Sequence, residues 1–179
     1  MANELEVLIL QHPLEAGHAK NTGRLLHLSL PRSRMLVGEA FDEVGLRREL
    51  ETGSTYAVLL YPPTSQDDEA PALDPEQLKN LSSVRLVVLD ATWRKSRKML
   101  HLNPLLRRLP RLSLEDIPAS HYLIRKAHKP GQLSTLEAAC TALAQLEGEG
   151  GAEKYKPLLK AFDGFVTHQL ALQPCFQSA

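Results

Sequence analysis

The run Arg85-Leu86-Val87-Val88-Leu89 constrains this chain more than any other stretch. It is short, rich in β-formers and apolar without alternation, which is the pattern of a strand covered on both faces. Comparable stretches predict strands at residues 5–10, 34–37, 55–61, 84–89 and 110–114, with a further short one at 121–125. Helices are predicted over 21–29, 42–51, 75–81, 93–102, 134–147 and 153–172. This alternation points to an α/β fold with a mainly parallel sheet and helices on both faces. Pro62 to Pro75 holds four prolines and the run Asp67-Asp68-Glu69, and it reads as a surface loop. Glu147-Gly148-Glu149-Gly150-Gly151 separates the last two helices. With no internal repeat and no linker, residues 1–179 read as one domain.

Composition excludes several classes. A chain of 179 residues with 43% hydrophobic content suffices for one core and is short for two. Two cysteines, Cys140 and Cys175, offer neither a disulfide framework nor a CxxC pair, so no metal is expected. Met1 to Glu6 holds two glutamates and no basic stretch. No apolar run approaches the ~20 residues that cross a bilayer. A soluble cytoplasmic protein without a membrane segment is expected.

Chemistry is concentrated after the buried run. Asp90 stands where that strand ends, and open α/β sheets bind ligands in crevices outside the carboxyl ends of their strands. Asp90 or Thr92 could equally cap the following helix. Trp93, the one tryptophan, could stack on a base or fill the core. Ser134-Thr135-Leu136-Glu137 fits a capping box opening an Ala-rich helix, and a loop entering a helix presents backbone N–H groups to a ligand. Of seven scattered histidines only His12, before Pro13, stands in a suggestive setting, and ordering the loop would explain it.

The formal net charge of zero hides a segregation. Between Arg94 and Lys129 ten basic residues face two acidic ones, a balance of +8, and the rest of the chain carries −8. A basic stretch of this kind is an electrostatic footprint for a phosphate backbone. Arg94, Arg97 and Lys98 fall at i, i+3 and i+4 and can share a helix face. Solvated helix positions are the alternative reading.

The string LDATWRKSRKML resembles the signature of the DTW-domain family, and six further elements follow the family's order. Gln11-His12-Pro13-Leu14-Glu15 resembles its HPxE element, Asn21-Thr22-Gly23-Arg24-Leu25 its NTxRL element, and Leu59-Leu60-Tyr61-Pro62 its LLYP strand end. After the signature come Asn103-Pro104 with Leu109-Pro110-Arg111, then Tyr122-Leu123-Ile124-Arg125-Lys126, then Leu133-Ser134-Thr135-Leu136-Glu137-Ala138. The likeness covers about residues 11–140.

That resemblance implies a tRNA-uridine aminocarboxypropyltransferase, which moves the 3-amino-3-carboxypropyl group of S-adenosylmethionine onto N3 of a uridine. It also implies a SPOUT-like fold with a carboxy-terminal trefoil knot that holds the donor. The cofactor-binding residues it implies are Leu60, Tyr61, Pro62, Thr92, Trp93, Tyr122, Ile124, Gly131, Leu133, Ser134, Thr135 and Glu137. Gly131 would allow close backbone approach, although a turn explains a glycine equally well. Asn21, Arg24, Arg94, Lys95, Arg97, Lys98, Arg125, Lys126 and Lys129 are the candidate RNA contacts. Many family members carry a cysteine-rich metal-binding segment before HPxE. Here eleven residues precede His12 and none is cysteine, so the chain resembles a shorter variant.

Asp90 is the candidate catalytic residue, as general base toward N3–H or as an orienting group. An Asp of ordinary pKa near 3.9 is a weak base, so the first role would require burial to raise it. The alternatives are a SPOUT-like RNA methyltransferase with the donor turned, since pose decides which group transfers, and a noncatalytic RNA-binding protein. The partner expected is tRNA; the sequence does not specify an oligomeric state.

Overall fold

The computed structural model describes residues 2–18, 21–53, 56–63, 70–114 and 133–171, apart from the side chains of 169 and 170. Five strands form one sheet: β1 (Glu6–Gln11), β2 (Ser33–Val37), β3 (Tyr56–Leu60), β4 (Val84–Asp90) and β5 (Arg111–Leu112). Their order is β2-β1-β4-β3-β5, and every pairing is parallel. The carboxyl ends of all five strands therefore lie along one edge. Gln11 of β1 is in register with Asp90 of β4, which sets two polar side chains together at that edge.

Helices cover both faces, as the alternating strand side chains require. Val7, Ile9, Leu86 and Val88 pack toward α2 (Thr22–Ser29), α7 (Thr135–Glu147) and α8 (Gly151–Ala171). Leu8, Leu10, Leu59 and Val87 pack toward α3 (Glu43–Glu51), α5 (Trp93–Leu102) and α6 (Pro104–Arg107). Each such side chain contributes roughly 1.5–3 kcal/mol of burial. α7 meets α8 closely through small residues, and a Cβ on Gly151 would stand 2.4 Å from the Ala144 carbonyl oxygen. The charged member of the β4 run, Arg85, is 2% exposed and is tolerated because it pairs with Glu6 and donates to the carbonyls of Glu49 and Thr52.

The predicted elements reappear with shifts that local chemistry explains. The helix read at 75–81 is one turn, α4 (Pro75–Leu78), and then a separate 3-10 turn at Leu81–Ser83. β5 has two residues, not the five predicted at 110–114. α1 (Pro13–Ala16) and α6 were not predicted; both are single turns opened by a proline, whose fixed φ suits the first helical position. The strand read at 121–125 lies outside the described residues. Among the described residues, no helix is long and apolar enough to cross a membrane.

Candidate active site

Asp90 ends β4 and is 6% exposed. It caps no helix. Its Oδ2 accepts from Gln11 Nε2 at 2.7 Å and its Oδ1 from the Thr135 hydroxyl at 2.6 Å. Its carbonyl accepts from the backbone N–H of His12 at 3.0 Å, which carries the pairing of β1 with β4 one step past the strands. Gly23 in the first turn of α2 leaves the space the carboxylate fills, since a Cβ there would lie 2.4 Å from Oδ2. Gln11 Nε2 also donates to Asn21 Oδ1 at 2.8 Å, and Asn21 donates to the Glu15 carbonyl while capping α2 through the Arg24 N–H. Four elements are thus tied to one buried carboxylate.

Beside this network lies a cavity of about 310 Å³. Leu60, Tyr61 and Pro62 wall it from the end of β3, Val88, Leu89 and Ala91 from the end of β4, and Leu112, Ser113 and Leu114 from the end of β5 and the residues after it. Trp93 and Ser96 of α5 close one side, and Leu133, Thr135 and Ala138 the other. Trp93 is 48% exposed and meets Tyr61 edge to face, with ring centroids 5.5 Å apart. The Arg111 guanidinium sits 5.8 Å from the Tyr61 ring centre. Tyr61 Oη lies 3.4 Å from Ser96 Oγ, which itself donates to the Trp93 carbonyl. The result is an apolar pocket with aromatic edges and a few hydroxyls, the usual make-up of a small-molecule site.

The helix after Asp90 carries its charges outward. Arg94, Arg97 and Lys98 are exposed on α5, while Lys95 turns in to pair with the buried Glu15 at 2.9 Å. Lys98 pairs with Glu39 at 2.9 Å, and Glu39 also meets His12 Nε2 at 3.0 Å. Lys98 first, and His12 second, hold the Glu39 carboxyl below its ordinary value of 4.5. His12 Nδ1 accepts from the Leu14 N–H and caps α1, so the loop-ordering role anticipated for it is the one it performs.

A family model described as the DTW domain matches residues 1–170. The chain belongs to the DTW-domain family. The tRNA-uridine aminocarboxypropyltransferase 2 of Drosophila melanogaster is 32% identical over 148 residues, covering 79% of this chain and 56% of that protein. That of Mus musculus is 31% identical over 171 residues, covering 90% and 54%. The tRNA-uridine aminocarboxypropyltransferase A of Arabidopsis thaliana is 28% identical over 173 residues, covering 81% and 64%. This DTW domain spans little more than half the length of its fly and mouse relatives. No solved structure matches it.

Of the cofactor positions implied by the motifs, Leu60, Tyr61, Pro62, Trp93, Leu133 and Thr135 line the cavity. Thr92, Ser134 and Glu137 do not. Thr92 holds the N-cap position of α5 through its backbone only. Ser134 and Glu137 form the capping box of α7, each bonding the other's backbone N–H. Trp93 stands at the pocket rather than in the core. Among the candidate RNA contacts, Arg24 is exposed in the first turn of α2, whereas Asn21 is 8% exposed and spends its amide inside the network. Tyr122, Ile124, Arg125, Lys126, Lys129 and Gly131 lie outside the described residues. Sequence reasoning missed Gln11, although its place at the end of β1 mirrors that of Asp90 on β4. It also missed Ser96 and Ser113, which have no distinguishing local pattern. No cluster of three or more His, Cys, Asp or Glu side chains among the described residues is placed to hold a metal ion.

Proposed function

We propose that this DTW domain transfers the 3-amino-3-carboxypropyl group of S-adenosylmethionine to N3 of a uridine in tRNA. The observation that carries the reading is the convergence of four family elements, HPxE, NTxRL, LLYP and Asp-x-Thr-Trp, on one cavity and one buried network at the carboxyl edge of the sheet. Relatives of 31–32% identity named for this activity support it. A SPOUT-like plan with a carboxy-terminal knot belongs to the same proposal, and an all-parallel sheet with its cavity at the carboxyl edge accords with it.

The residues present fit the donor. Leu60, Pro62, Leu112 and Leu114 offer aliphatic walls for a purine, with Tyr61 and Trp93 as its aromatic neighbours. Ser96, Ser113 and Thr135 offer hydroxyls to its polar groups. When bound, S-adenosylmethionine supplies a sulfonium flanked by three electrophilic carbons. The apolar walls exclude water and fix the pose, and the pose selects which carbon meets the nucleophile. Asp90 does not line the cavity, and both its oxygens are engaged. We therefore assign it the orienting role: it holds Thr135, which does line the cavity. The exposed Arg24, Arg94, Arg97 and Lys98 are assigned to the tRNA backbone.

The test is mass spectrometry of nucleosides from tRNA incubated with the protein and S-adenosylmethionine. Gain of the aminocarboxypropyl mass on uridine is expected. Gain of a methyl would establish a methyltransferase, and no gain a noncatalytic RNA-binding protein.

A further inference from the structure

Of the Arg and Lys residues that follow Trp93 on α5, one behaves unlike the rest. Arg94, Arg97 and Lys98 are exposed, whereas the Lys95 side chain is 26% exposed and its Nζ lies 2.9 Å from Oε1 of the buried Glu15. Lys95 stands in the first turn of α5, where the helix dipole disfavours a cation. That turn holds no acidic residue, and Thr92 before it supplies no side-chain cap. An anchor for this end of α5 comes instead from another element, through Glu15 of α1.

Glu15 is itself anchored. Pro13 opens its single helical turn and His12 caps it. Its carbonyl accepts from Asn21 Nδ2 at 3.1 Å, Asn21 Oδ1 accepts from Gln11 Nε2 at 2.8 Å, and Gln11 donates to Asp90. The ion pair thus runs from this buried network to the turn that Trp93 begins. Trp93 lines the cavity at its rim, half exposed and edge to face with Tyr61, so the course of its own backbone decides where the indole stands. Burial of Glu15 also shields the pair from the screening that weakens exposed ones. We propose, on the reading that the cavity takes the sulfonium donor, that Glu15 and Lys95 are a positioning pair. Their ion pair sets the first turn of α5 and so holds Trp93 against the donor. Lys95 then serves the cavity and not the tRNA backbone, although outward-facing cations surround it in the sequence.

Trp93 is the one tryptophan of the chain, so intrinsic fluorescence reads the rim directly. In the ligand-free protein, Lys95→Met should move the Trp93 emission to longer wavelength and increase its quenching by acrylamide. Calorimetry with S-adenosylhomocysteine, an unreactive donor probe, should show affinity weakened roughly threefold to tenfold, the worth of one aromatic contact. The salt dependence of tRNA binding should keep the wild-type slope. Lys95→Arg, which preserves the ion pair, should restore both the emission and the affinity. Melting curves confirm folding. If Lys95→Met does not fold, because it leaves the Glu15 carboxylate buried without that cation, the double variant Glu15→Gln/Lys95→Met removes both charges and carries the same expectations. Wild-type emission and quenching in the folded variant, or wild-type affinity for S-adenosylhomocysteine, would overturn the proposal. So would a tRNA salt slope lowered by about one unit, which would make Lys95 a phosphate contact. A wild-type protein that binds no S-adenosylhomocysteine would show a different failure, that of the donor reading itself, and would take the proposal with it.

Discussion

Gly23 and Asp90 show how one residue's absence of a side chain sets another's position. A methyl at Gly23 would overlap the Asp90 carboxylate, whereas one at the exposed Gly164 of α8 meets nothing within 4 Å. Gly23→Ala should therefore destabilise by roughly 1–3 kcal/mol through overpacking. Gly164→Ala should stabilise by about 0.5–1 kcal/mol through helix propensity. Paired denaturant titrations check the contrast. Asp90→Asn keeps the shape and turns one acceptor into a donor, which frees the Thr135 hydroxyl to rotate. We expect a folded protein that still binds S-adenosylmethionine but loses transfer by roughly a hundredfold, the cost of a displaced contact. Near wild-type turnover in a folded Asp90→Asn protein would remove Asp90 from the positioning of the site. Asp90 itself was legible because a strand end is a local pattern. Its partners were not, because Gln11 and Thr135 reach it across 79 and 45 residues of chain.

At the scale of elements, the sequence states most of this fold. β1 to β4 fall close to their predicted bounds because each is a short apolar run between turn residues. The capping box that announced α7 is formed, and Ser134→Ala should lower stability by about 0.5–2 kcal/mol in thermal or chemical unfolding. What local pattern did not reveal is strand order, since β4 between β1 and β3 is a tertiary choice. Nor did it reveal the chemistry buried where α7 meets α8. Burial pushes the Cys140 thiol from 9.0 up to about 12, with the Glu137 charge adding to it. Burial, with the hydrogen bond to Glu147, raises the Tyr155 phenol above its ordinary 10.0. Both groups hold their protons more tightly in the folded state than in the unfolded one. Their contribution is then complete below the ordinary values and lost as pH rises through the raised ones. The melting temperature should decline from about pH 9 upward, and Cys140→Ala should make that decline shallower. Parallel curves for the two proteins would show that the thiol takes no part.

At the scale of the whole molecule, the balance of +8 against −8 along the chain becomes a surface only in part. Lys95 is drawn in by Glu15 and Lys98 is partnered by Glu39, which leaves Arg94 and Arg97 as the exposed pair on α5 that has no carboxylate partner among the described residues. If these arginines meet the tRNA backbone, affinity falls with salt, because each neutralised phosphate releases counterions and adds roughly 0.7–0.9 to the log–log slope. Arg94→Ala and Arg97→Ala should each lower that slope by about one unit. Lys98→Ala should do less, since Glu39 already competes for the ammonium. Arg47 on α3 serves as the control: it pairs with Glu43 and Glu51 on its own helix, and replacing it together with Arg48 should leave the slope unchanged. Filter-binding titrations across a salt series read all four. Equal slopes for the α5 variants and the α3 control would mean that the α5 arginines are a solvated helix face, with RNA held by another surface.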